Sequence, residues 1–64
     1  MNTSQIEALI LKWEDSIKLH EKVIFGYGDK DKFTAVDWTN YLRHKEAIST
    51  FQYCITNLKE TLND

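Results

Sequence analysis

Apolar side chains recur at alternating steps of four and three residues along two stretches of this chain. The first stretch reads Ile6, Ile10, Trp13, Ile17, His20, Ile24, and the second reads Tyr41, His44, Ile48, Phe51, Ile55, Leu58, Leu62. That spacing is the narrow seam of one helix against another, not the broader apolar face of a lone surface helix. Ser4-Gln5-Ile6-Glu7 has the S-x-x-E form of a capping box, so the first helix is expected from about residue 5 to residue 24. Gly26 and Gly28 then release the backbone and suit a helix C-terminal cap, which makes residues 25 to 34 a loop. Thr34 and Asp37 form a weaker T-x-x-D cap for a second helix over about 35–62, a stretch with neither glycine nor proline. Two such seams joined by about ten residues pack antiparallel. The pattern therefore predicts an all-α fold, one helical-hairpin domain over residues 1–64.

The flanks of the seam carry a further expectation. Along one edge, Glu7, Glu14 and Glu21 of the first helix face Lys45, Gln52 and Lys59 of the second. Acid faces base in either of two registers, with Lys45 meeting Glu21 or Glu14, and each exposed pair is worth a few tenths of a kcal/mol, roughly. The opposite edge reads Leu9, Ser16 and Val23, then Asn40, Ala47, Cys54 and Thr61, all uncharged and many of them small. Sixty-four residues bury too little surface to be comfortably stable alone, and one cysteine makes no internal disulfide. A homodimer is the remaining staple. Leu9, Ser16, Val23, Asn40, Ala47 and Cys54 are its expected interface, and a four-helix bundle its expected form. Charge is also polarised: residues 18–45 hold six cations and four acids, whereas the rest of the chain holds two cations and six acids. An antiparallel arrangement of two copies lays positive on negative.

Composition narrows the partners. The formal charge is -2 and the sequence pI about 5.6, the wrong sign for a phosphate-binding surface, so nucleic acid is disfavoured. The longest apolar run, Ala8 to Leu11, is far short of a membrane span, and Met1 to Gln5 lacks a basic and apolar leader pattern, so a cytoplasmic protein is expected. Lysine heavily outnumbers arginine, and isoleucine and asparagine are frequent, as in AT-rich genomes such as those of low-GC bacteria and their phages.

Few residues offer chemistry. His20 and His44 share the seam one turn from the loop and are expected to lie in the same or adjacent layers. A metal pair or a pH switch is one use for them. The preferred use is a polar layer that fixes register, with ring nitrogens bonded to Tyr41, Ser16 or Asn40, because zinc needs three or four ligands and no H-x-x-x-H or H-E-x-x-H is present. Cys54 lies about 15 Å along the helix from His44 at 1.5 Å per residue, too far to join them or to form a Cys-His nucleophile. Asp29-x-Asp31 fails as a calcium loop because Phe33 holds the next ligand position, and Gly26-x-Gly28 is too short to cradle phosphate. No cofactor and no enzymatic activity are expected.

The loop end holds more aromatic residues than the seam needs. Phe25, Tyr27, Phe33 and Trp38 stand with Lys30 and Lys32 as an expected partner-binding surface, since large rigid side chains beside cations make good anchors. The competing reading has the rings fold back to cap the bundle over the histidine layer. Leu11, Leu19, Leu42 and Tyr53 also project off the seam. The expectation is a non-enzymatic protein–protein interaction module, an inhibitor or regulator that occupies a partner's surface, of phage or mobile-element type. A ligand- or metal-binding bundle using the two histidines is the alternative. A nucleic-acid-associated regulator is third, and it rests on the lysine-bearing loop end alone.

Overall fold

The structure, a computed structural model, describes residues 2–63 as a rod of 46 × 14 × 13 Å. Helix α1 spans Thr3–Gly26 and helix α2 spans Ala35–Asn63, joined by a segment that includes one 3-10 turn at Lys30–Lys32. The two helices pack against each other along their length as an antiparallel hairpin. The all-α hairpin is as the apolar pattern predicts.

The start of α1 differs from expectation. Asn2, not Ser4, is the N-cap: its side chain accepts from the Gln5 N–H at 2.8 Å, and the Gln5 side chain accepts from the Asn2 N–H at 3.1 Å. N-x-x-Q makes the same reciprocal box as S-x-x-E, and Asn caps as well as Ser, so the earlier start gains helical residues at no loss of capping. At the other end, Tyr27 keeps right-handed backbone angles and donates its N–H to the Ile24 carbonyl at 3.1 Å. Gly28 follows at φ 75, the left-handed residue that ends a helix, with its N–H directed to the Phe25 carbonyl at 3.4 Å. The glycine cap thus falls on Gly28, while Gly26 is an ordinary last residue of α1.

At α2 both capping bonds form. The Thr34 N–H donates to the Asp37 carboxylate at 3.0 Å, and the Asp37 N–H donates to the Thr34 hydroxyl at 3.1 Å. Phe33, just before the cap, packs on Trp38 with ring centroids 5.0 Å apart. This is the hydrophobic staple that fixes the angle at which a chain enters a helix.

Of the thirteen seam positions, Ile6, Ile10, Ile17 and Ile55 are buried, and Trp13, Ile48, Phe51, Leu58 and Leu62 pack half-buried around them. Among the described residues no side chain is fully buried. Trp13 stacks on Phe51 at 6.2 Å and His20 touches His44, which fixes the register. Glu21 and Lys45 consequently line one shallow groove, and Glu7 and Lys59 another. The structure therefore takes the register that sets Lys45 beside Glu21. The accessible surface is 5076 Å². A compact monomer of 7.6 kDa exposes about 4,300 Å² on the usual size scaling. A rod of two helices side by side leaves both edges of their seam open, and its surface is larger than that of a compact body accordingly.

Candidate functional site

The histidines meet at the loop end of the seam. His20 Nδ1 lies 2.8 Å from His44 Nδ1, with ring centroids 5.0 Å apart and planes inclined by 50°. Both rings are half-buried. The bond requires unlike tautomers, because one Nδ1 carries the hydrogen and the other receives it. The expected partners differ: each ring nitrogen Nδ1 meets the other histidine, and Ser16 instead donates its hydroxyl to the Lys12 carbonyl at 3.2 Å, the usual i−4 bond of a helical serine. A zinc ion held tetrahedrally by two imidazoles spreads their nitrogens to about 3.3 Å, from metal–nitrogen distances near 2.0 Å. The rings would have to part to admit it. No group of three or more metal-ligating side chains is gathered among the described residues.

From this pair a chain of ring contacts runs both ways. Towards the middle of the rod, His20 packs on Phe51 at 6.2 Å and Phe51 on Trp13. Towards the loop, His44 meets Tyr27 at 6.4 Å, Tyr27 meets Phe33 at 5.9 Å, and Phe33 meets both Trp38 and Tyr41. Trp38 and Tyr41 complete the triangle at 5.8 Å with planes nearly perpendicular. Edge-to-face contacts of this kind contribute about 0.5–1.5 kcal/mol each beyond area burial.

The Lys30 ammonium lies 5.0 Å from the Tyr41 ring centroid. Placed to hydrogen-bond the phenolate, it holds the Tyr41 pKa below the ordinary tyrosine value of 10.0. Desolvation opposes this, and the charges of Lys30 and Lys45 reinforce it. The 3-10 turn at Lys30–Lys32 is what brings Lys30 back over α2.

The six loop-end residues singled out from the sequence are thus divided. Tyr27, Phe33 and Trp38 join one cluster and Lys30 covers it, whereas Lys32 is exposed and Phe25 stands out at 89% exposure. Phe25 borders the groove that Glu21, Lys45 and Ile48 line. Tyr41, assigned to the seam, belongs equally to the ring cluster. The F-T-x-x-D-W order of staple and cap would have revealed the Phe33–Trp38 contact; the Tyr41–Lys30 approach depends on the 3-10 turn, which has no such signature.

On the uncharged edge, Leu9, Ser16, Asn40, Ala47 and Cys54 are half-buried and Val23 is exposed. Cys54 is a free thiol. Leu11, Leu19, Val36, Leu42 and Tyr53 are exposed as well, spread over both helices. No helix among the described residues is long and apolar enough to cross a membrane. No family model, curated protein or solved structure matches this chain.

Proposed function

We propose that the chain is a non-enzymatic interaction module, a helical hairpin that pairs with a second copy of itself along its uncharged edge and occupies the surface of another protein as an inhibitor or regulator. One observation carries the reading: among the described residues the hairpin buries four side chains, none completely, while eight large apolar ones stay exposed. Its surface exceeds that of a compact monomer by about 800 Å², which is also roughly what each partner buries in an interface of standard size. The excess alone could be covered by one specific partner.

The uncharged edge favours a second copy, since the charged edge would have to desolvate Glu14, Glu21 and Lys45 to close. Two copies side by side and antiparallel set the lysine-rich loop half of each against the acidic terminal half of the other. The loop end then projects at each end of the assembly, with Phe25 and Lys32 exposed and Trp38 half available at 41% exposure. Phe25 is the anchor such a surface would use first.

Mass action tests the pairing. The melting temperature of a folded dimer rises with protein concentration, and that of a monomer does not. Wild type is expected to show the rise. Ala47→Glu is expected to abolish it by placing an unpaired charge in the interface. A melting temperature independent of concentration in the wild type contradicts the proposal.

A further inference from the structure

We propose that the His20–His44 pair is a one-proton latch, which holds the loop end of the hairpin closed and releases it when a second proton arrives. The inference does not depend on the interaction reading; it rests on a count of nitrogens and protons at the 2.8 Å contact. In the neutral pair one ring donates its Nδ1–H to the bare Nδ1 of the other, whose own proton is on Nε2. The donor ring is left with a bare Nε2, which is where the first added proton goes. That step makes an imidazolium donating to a neutral imidazole, so the bond is kept and becomes charge-assisted. After it, the only bare nitrogen in the pair is the accepting Nδ1 itself. A second proton can bind only there. It would set two N–H groups face to face across 2.8 Å, and two positive rings with centroids 5.0 Å apart. The rings must separate.

What moves with them is set by packing. His44 carries Tyr27, Tyr27 carries Phe33, and Phe33 staples the start of α2 through Trp38. Separation of the histidines therefore loosens the loop end first, while the isoleucine cluster around Ile10, Ile17 and Ile55 lies further along the rod, beyond Phe51. The ionisable groups around the pair do not relieve the second charge. From α1 there is Glu21 and from α2 Lys45, which line one groove with opposite signs. Arg43 is adjacent to His44 in sequence and adds positive charge. The loop contributes the Tyr27 phenol, and Tyr41 with Lys30 above it; none of these is an anion in acid. The uncharged edge, at Ser16, Val23, Asn40 and Ala47, contributes no charge.

The sign of the pH effect follows from the proton count. Below the ordinary histidine range, about pH 6.5, the unfolded chain takes up two protons and the closed hairpin one. The unfolded state then binds one proton more, so stability falls as pH falls, by about tenfold in the folding equilibrium per pH unit.

Imidazole nitrogen NMR on the full chain, with thermal melts from about pH 8 to about pH 4, tests the latch. Through-bond coupling between the two Nδ1 atoms is expected at neutral pH, surviving uptake of the first proton. With the second it is expected to vanish, at the acid end of the range over which the melting temperature falls. His20→Leu/His44→Leu is expected to lose that acid-limb fall relative to wild type. Histidines that protonate independently with no coupling across Nδ1, or an equal acid loss in the double variant, would overturn the proposal. Should the double variant not fold, the wild-type coupling decides the matter alone.

Discussion

At the residue scale, two glycines two positions apart illustrate how differently the same side chain can serve. Gly28 sits at φ 75, a region where a Cβ costs roughly 1–2 kcal/mol, whereas Gly26 is helical with nothing within 4 Å of where a Cβ would be. Gly28→Ala is therefore expected to lower stability by about 1 kcal/mol, and Gly26→Ala to raise it by up to about 1 kcal/mol. Chemical denaturation of the two variants checks both signs. Tyr41 is a second single-residue case. Its ionisation, followed by ultraviolet titration in a Tyr27→Phe/Tyr53→Phe background, is expected below the ordinary tyrosine value, and Lys30→Met is expected to return it upwards. An unchanged titration in Lys30→Met would show that Lys30 does not touch the phenol in solution. Residue-level features of this kind were the least legible in the sequence. The spacing of His20 and His44 set them in the same or adjacent layers, but their direct bond depends on ring orientations that no pattern records.

At the element scale, both helices and their antiparallel packing could be read from the alternation of threes and fours, because a seam must face a seam. Their ends could be read only to within a few residues. The capping signal at Ser4 competed with an equivalent one at Asn2, and the earlier one wins since it adds helix without losing a bond. The start of α2 was better specified than it looked: Thr34 and Asp37 form the box, and Phe33 with Trp38 adds the staple. Thr34→Ala is expected to cost about 1 kcal/mol for the lost cap. The loop-end rings test the division between capping and binding. Tyr27→Ala/Phe33→Ala removes rings packed on His44, Trp38 and Tyr41, so its melting temperature is expected to fall by several degrees. Phe25→Ala, at an exposed position, is expected to leave the melt unchanged while weakening partner binding by about 2 kcal/mol if Phe25 is an anchor. A stable Tyr27→Ala/Phe33→Ala variant that no longer binds would return the anchoring role to those two rings.

For the whole molecule, the account turns on surface that the hairpin cannot cover by itself. One charged edge and one uncharged edge were apparent from the residues flanking the seam, and the register sets Lys45 beside Glu21 on the first, where both are exposed. How much apolar surface the rod leaves open was not apparent, since it depends on how deeply two helices sink into each other, and here no side chain among the described residues is fully buried. The most direct test is the molar mass of the full chain by light scattering at micromolar concentration. The account predicts at least twice the 7.6 kDa of one chain. It also predicts return to a single chain in Ala47→Glu or Cys54→Glu. A monodisperse 7.6 kDa monomer with a high melting temperature would contradict it, because the hairpin would then be stable with both edges in water.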